Sequence, residues 1–391
     1  MTSDLSSGIE VRQTVDWFRR YLFLERSCIK ALAGWFLKVP EYETKIGMGY
    51  QLWAHAERAT ELRARLQELR GGHSEANVEP ALARVADEIL NAPDPNSFLT
   101  GWQVLIDRLS EAYRFHLEQA DGSANAQEVR ILRRILVDIE QSRAWLKTHF
   151  KQYSQTWASR IQAFLDSAGG VQGVGIRPSP PESSGAHFVW PDKYVFDERI
   201  CEDRFENYSR RIELPFEQRR IAEMEIFFNE FYAAGLLATI LFDSWSARAP
   251  WEFYRDLAHH FWDEVRHAEF GMIRLKELGV QPSRLDLSLF YASQTMPFLH
   301  RLCYLTLGLE VYFMPRKRPR VERYGSAGDR RTQLFADVDW SDEGNHVQYG
   351  KRWVDYFLTD DARTVEDLQS EIADYLKAAG IDLPEGQLAP Y

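Results

Sequence analysis

Asp263-Glu264-Val265-Arg266-His267-Ala268-Glu269-Phe270-Gly271 is the stretch that decides how this chain is read. Glu264 and His267 are three residues apart, so on a helix they share one face about one turn apart. The pattern returns 79 residues later as Asp342-Glu343-Gly344-Asn345-His346-Val347-Gln348-Tyr349-Gly350. Both copies read Asp-Glu-x-x-His-x-x-x-Gly. One Glu-x-x-His is a weak signal, because Glu is common in helices. Two copies with the same flanking Asp and Gly are hard to assign to chance, and they direct attention to carboxylates on neighbouring helices.

Composition narrows the classes. A chain of 391 residues is long enough for two domains with cores of their own. Its apolar fraction of 45%, with 12 Trp and 23 Phe, excludes general disorder. A net charge of -11 argues against binding duplex nucleic acid, which needs a broad basic face. Cys28, Cys201 and Cys303 fit no zinc spacing and cannot all pair, the usage of a reducing cytoplasm. Residues 1–10 lack the apolar core of a signal peptide. The longest apolar run, Tyr232 to Phe242, is too short to span a bilayer. The expectation is a cytoplasmic protein with no membrane or nucleic-acid partner.

Helical periodicity runs through almost the whole sequence. In 11–38, Phe18, Tyr21, Leu22, Ile29, Leu32 and Phe36 recur at helical spacing, and Glu25 sits inside that stripe. Further helices are expected over 42–70, 78–91, 97–119 and 126–168. Residues 169–196 are rich in Gly, Pro and Ser and read as a linker, and 186–214 as a surface strap. Helices resume over 216–245, 251–278, 284–314, 329–358 and 364–379. The basic stretch Arg316–Arg331 reads as solvated loop charge, with an anchor for an anionic substrate or carrier as the alternative. No strand pattern is visible, so the fold class is all-α.

Counting residues locates two more carboxylates. Positions equally far from a hairpin turn lie level on antiparallel helices, each residue adding about 1.5 Å. The midpoint of Glu230 and Glu264 is Ala247, beside Pro250. That of Glu310 and Glu343 falls between Ser326 and Ala327, beside Gly325. Ile226, Phe227, Ala233 and Leu237 flank Glu230; Thr306, Leu307, Phe313 and Met314 flank Glu310. A buried unpaired carboxylate is costly unless it meets a cation. Glu230, Glu264, His267, Glu310, Glu343 and His346 are therefore the candidate metal ligands, a set suited to two iron or manganese ions. Asp263 and Asp342 are expected to orient a motif histidine, each on the opposite helix. Gly271 and Gly350 would admit a close neighbour. His260 and Asp339, four residues before each motif Glu, are read either as support for the ligands or as solvated helix residues. Thr306 either lines an oxygen pocket or packs.

Asp263-Glu264-x-Arg266-His267 resembles the motif of the ferritin-like di-iron carboxylate superfamily. The oxygen-activating branch includes multicomponent monooxygenase hydroxylases, the radical-generating subunit of ribonucleotide reductase and acyl-carrier-protein desaturases. The resemblance covers roughly 216–358, and the second motif has Asn345 where the first has Arg266. It implies Glu230, Glu264 and His267 on one metal, Glu310, Glu343 and His346 on the other, and bridging carboxylates. It further implies two iron ions, with manganese or a mixed pair as variants, and O2 as cosubstrate.

The N-terminal helices repeat the spacing in degenerate form. Glu25 pairs with Leu52-Trp53-Ala54-His55, and Glu111 with Glu140-Gln141-Ser142-Arg143. The expected architecture is two tandem ferritin-like four-helix bundles: 1–168 without a complete metal site, a linker and strap over 169–214, and 215–391 with the dinuclear site. The functional expectation is an O2-dependent oxidase or oxygenase acting on a small organic substrate. No flavin or iron–sulfur motif is present, so electrons come from an external donor. The alternatives are a peroxide-reducing or iron-handling protein, or a binding protein with a structural metal pair. Monomer and homodimer both stay open.

Overall fold

Helices make up most of the described residues. The structure, a computed structural model, describes residues 8–71, 79–150, 152–206, 208–247 and 249–381. The chain folds as two compact units, Met1–Val39 with Tyr50–Lys193, and Pro40–Gly49 with Tyr194–Tyr391. The expected linker and strap thus divides at Lys193 and Tyr194, and the start of the second helix groups with the second unit.

The first unit contains α1 (Val11–Phe36), most of α2 (Tyr42–Glu68), α3 (Pro80–Leu90), α4 (Pro95–Gln119), α5 (Ala126–His149) and α6 (Gln155–Ser167). The α1 stripe of Phe18, Tyr21, Leu22, Ile29, Leu32 and Phe36 is fully buried. Burying each such side chain contributes about 1.5–3 kcal/mol. Asp94 caps α4 by accepting from Ser97 N at 2.9 Å. The helix expected over 126–168 is two helices. Ser154 caps α6 by accepting from Trp157 N, and its own N–H donates to Thr100 Oγ1, which satisfies the break.

The second unit carries α7 (Tyr208–Ile212), α8 (Phe216–Phe228), α9 (Phe231–Asp243), α10 (Trp251–Glu277), α11 (Ser288–Ser293), α12 (Phe298–Cys303), α13 (Glu310–Phe313), α14 (Lys317–Ser326), α15 (Arg330–Leu358) and α16 (Val365–Ala378). Two short strands that no sequence pattern announces, β1 (Cys201–Glu202) and β2 (Arg284–Leu285), pair in parallel. The helical stretch Phe216–Ala247 is long and apolar enough to cross a membrane by composition, yet 78% of that apolar window is buried inside the fold.

Three local features place the functional side chains. First, the helix expected over 216–245 is interrupted at Asn229–Glu230. The Asn229 amide is tied to the Asp286 backbone on both sides, accepting from its N–H at 2.7 Å and donating to its carbonyl at 3.2 Å. Second, Gly271 lets α8 lie directly on α10, since a Cβ there would come within 2.2 Å of Phe228 N. Third, the helix continuing from α12 widens into a π turn, Tyr304–Leu309, immediately before Glu310. Such turns favour functional sites because they shift the register of the next side chain.

The chain does not become a loop at Pro315. Pro315 lies in the first turn of a 3-10 segment, Met314–Arg316, where its missing N–H costs nothing, and α14 follows. The hairpin turn falls at Ala327–Asp329, matching the midpoint counted for Glu310 and Glu343.

Candidate metal centre

α10 and α15 each present three side chains at i, i+4 and i+7: His260, Glu264 and His267, and Asp339, Glu343 and His346. All six are buried. With Glu310, five of them form two groups whose nitrogen and oxygen atoms lie within 4.8 Å of one another, His260 with Glu264, Glu310 and His346, and Glu264 with His267 and Glu343. Glu264 belongs to both. Its Oε1 is 3.2 Å from His346 Nδ1 and its Oε2 is 3.7 Å from His267 Nδ1. Glu310 Oε1 lies 2.7 Å from His260 Nε2 and 3.8 Å from His346 Nδ1. The His260 and His346 rings stack with centroids 3.7 Å apart.

The grouping differs from the implied one in Glu343, which sits with His267 and Glu264, while Glu310 and His346 stay together as implied and are joined by His260 and Glu264. Glu230, at the α8–α9 break, belongs to neither close group. It lines the same cavity, half-buried. Burial and the neighbouring Glu264 hold its carboxyl well above the usual range.

The aspartates before each motif Glu reach across to the opposite helix. Asp342 Oδ2 lies 3.1 Å from His267 Nε2, and Asp263 Oδ2 lies 3.2 Å from His346 Nε2. Each imidazole can donate its Nε2 proton to an aspartate and turn the Nδ1 lone pair inward, the tautomer a metal ligand needs. Arg266 donates to both aspartates, at 2.6 Å to Asp263 and 2.7 Å to Asp342. One guanidinium serves both motifs, which accounts for Asn345 in the second copy.

The inward atoms lack donors. Among the described residues, His260 Nδ1 and Nε2, His267 Nδ1, His346 Nδ1, Glu264 Oε2 and both Glu310 oxygens have no hydrogen-bond partner. Seven carboxylates crowd the region: Glu230, Asp263, Glu264, Glu310, Asp339, Asp342 and Glu343. They face three cationic side chains, Lys317, Arg266 and Arg320. The excess of four negative charges equals the charge of two divalent cations. Without cations the cluster captures protons: burial opposes a charged His267, yet Asp342, Glu264 and Asp339 raise its pKa to about 10. Burial pushes Glu343 up to about 7, with Lys317 pulling the other way. The donor chemistry, orphaned atoms and charge excess fit a metal pair.

Three residues with two open readings, His260, Asp339 and Thr306, take one of them, and Lys317 departs from its expected place. His260 is completely buried against Glu264 and Glu310, and the i, i+4, i+7 spacing it shares with Asp339 is the sequence signal for both. Asp339 accepts from Lys317 Nζ at 2.8 and 3.0 Å, and the same ammonium donates to Glu343 Oε1 at 2.9 Å. Lys317, expected in a solvated loop, is instead directed into the core by α14. For Thr306 the packing reading holds and the oxygen-pocket reading does not, since the cavity lining does not include it. Its hydroxyl donates to Leu302 O at 2.8 Å, and its side chain fills the space where a Gly350 Cβ would stand. The cavity wall on that helix is Leu305, Glu310 and Phe313.

In the first unit, Glu25 and His55 do converge. His55 Nδ1 is 2.5 Å from Glu25 Oε2, Arg58 Nε donates to that oxygen at 3.0 Å, and Tyr113 OH donates to Glu25 Oε1 at 2.7 Å. Trp102 Nε1 donates to His55 Nε2 at 3.0 Å. Indole can only donate, so His55 carries its proton on Nδ1 and is neutral. A guanidinium thus stands beside the carboxylate where a metal would be needed. Glu111 and Glu140, expected in the other slots, are surface residues with side chains 62% and 49% exposed, paired with Arg108 and with Arg114 and Arg143. The Tyr113 hydroxyl, two residues beyond Glu111, supplies the inward contact instead.

No protein-family description, curated protein or solved structure matches this chain.

Proposed function

We propose that the second unit holds two divalent ions, iron or manganese, and that the chain is an O2-dependent oxidase or oxygenase acting on a small organic substrate. The observation that carries this reading is the convergence of unpartnered, buried imidazole and carboxylate atoms, with each motif imidazole backed by an aspartate. A ferritin-like arrangement for this unit, with the first unit as its degenerate copy, belongs to the same proposal.

His260, Glu310 and His346 would hold one ion, His267 and Glu343 the other, with Glu264 shared and Glu230 available from the cavity side. Bound there, the pair would supply the redox chemistry toward O2 that side chains lack. The chain does the rest. Asp263 and Asp342 hold the Nε2 protons, and Arg266 favours their ionised form. Ile226, Leu289, Leu305 and Phe313 form an apolar wall that limits water at the carboxylates. Electrons come from an external donor.

The test is metal analysis followed by anaerobic reconstitution with ferrous iron. The expected content is about two equivalents per chain, one for each ligand group, and O2 exposure should consume gas in proportion to bound iron with a transient absorbance. Failure to retain metal would sink the assignment; retention with no O2 uptake would leave a structural pair.

Lys317 gives a sharper test. Its ammonium competes with the second ion for Glu343. Lys317→Met should therefore tighten the weaker metal step by about tenfold or more, read by chelator competition, since a unit charge near 4 Å is worth well over 1 kcal/mol even at moderate screening. An unchanged or weakened second step would show that Lys317 is needed to place Glu343.

A further inference from the structure

The cavity over the carboxylates changes sign from floor to rim. Glu230, Glu264, Glu310 and Glu343 form its floor. Its outer wall carries Arg211, Arg316 and Arg320. Arg320 lies 3.7 Å from Asp339 and Lys317 is bonded to Asp339 and Glu343, so these two cations belong to the centre. Arg211 and Arg316 do not. Among the described residues, no carboxylate lies within ion-pair distance of either. Arg211 donates to the Glu206 carbonyl. The Arg316 guanidinium lies over the rings of Tyr208, Tyr312 and Phe313 at 4.3, 4.7 and 4.9 Å. Stacking occupies the faces of a guanidinium and leaves its edge N–H groups to recognise a planar anion. Burial, with the charges of Arg320 and Arg316, lowers the Arg211 pKa, and the charge of Glu223 offsets this only in part.

Size and polarity narrow the ligand further. The cavity measures about 200 Å³, and an apolar cavity of about 150 Å³ holds a benzene ring. Its lining also carries Ile226, Leu289, Leu305 and Phe313, apolar surface against which a ring can pack. A metal pair would neutralise the floor, leaving Arg211 and Arg316 and the single carboxylate of Asp286, which already accepts from the backbone N–H groups of Phe205 and Ser288, as the charged groups a ligand meets.

We propose that the cavity binds a small organic acid of single-ring size, its carboxylate held by Arg211 and Arg316 and its ring directed toward Glu230 and Glu310. This names the substrate class of the site above and rests on that reading only for the identity of the floor; recognition by the arginines does not depend on it.

The experiment uses the full chain, metal-loaded, with metal content assayed on the same sample. Benzoate, benzamide and benzylamine are titrated calorimetrically. Benzoate should bind one to one, with benzamide weaker by about tenfold or more and benzylamine weaker still, the scale of a lost charge-assisted hydrogen bond. Arg316→Gln and Arg211→Gln should each weaken benzoate about tenfold at unchanged metal content and circular dichroism, while Arg316→Lys, which keeps charge but not the fork, restores part of it. Equal binding of benzoate and benzamide, or wild-type benzoate affinity in both Gln variants, overturns the proposal. A chain that prefers benzoate through its arginines but retains no metal keeps the anion site and removes the metal centre. Full metal content with charge-blind binding does the reverse.

Discussion

Glu264→Ala should empty the centre of both metal ions, while Glu343→Ala should cost about one. Glu264 is the one residue common to the two ligand groups, and its two oxygens face different imidazoles. Glu343 belongs to a single group and is already shared with Lys317. The contrast, two equivalents lost against one, is measured by metal analysis after reconstitution and separates a bridging carboxylate from a merely nearby one. A Glu264→Ala variant that keeps two ions, or that loses no more metal than Glu343→Ala does, would exclude Glu264 as the shared ligand.

The legible parts of this site are those fixed by helical periodicity. Glu264 and His267, like Glu343 and His346, must share a face whatever they pack against, and counting from the turns brings Glu230 and Glu310 to the same cavity. The crossing of Asp263 and Asp342 to the opposite histidines also follows, since an aspartate one residue from a ligand cannot turn back to its own helix's inward face. What is not legible depends on backbone departures from the ideal helix. The break at Asn229–Glu230 is held by Asp286, far away in sequence. The π turn before Glu310 and the helical continuation past Pro315 bring Lys317 into the core, and neither leaves a local signature. Proline looks like a stop because its usual meaning is a missing donor; here it falls where no donor is needed. Arg58 escapes notice for a related reason. An arginine three residues beyond His55 looks like surface charge until Glu25 is seen opposite it.

That guanidinium carries the second large effect. Glu25, His55, Arg58, Trp102 and Tyr113 form a network at the centre of the first unit with Glu25, His55 and Arg58 almost completely buried. Burial alone would raise the Glu25 pKa; the charge of Arg58 and the hydrogen bonds from His55 and Tyr113 outweigh it and hold the carboxyl down at about 2. Removing Arg58 leaves a buried carboxylate without its counter-ion, so Arg58→Met should destabilise the first unit by about 3–5 kcal/mol. Glu25→Gln in the same chain should recover most of that loss, since the charge and its orphaned partner disappear together. Hydrogen exchange in α1 and α2 peptides reads the effect locally, and the metal content of the chain should stay unchanged. Acid should act in the same direction as Arg58→Met. Burial and the adjacent Arg58 lower the His55 pKa from 6.5 to about 4, and Trp102 occupies the nitrogen that would take the proton. As pH falls below 6.5 the unfolded chain protonates this imidazole and the folded chain does not, so stability drops by roughly 3 kcal/mol by pH 4. Glu25 adds a further loss between pH 4.5 and about 2, because its contribution exists only while the folded carboxyl stays ionised. His55→Gln should flatten the upper limb alone; exchange rates in α1 that show no acid dependence above pH 4.5 in the parent chain would mean that His55 is not held neutral by its neighbours.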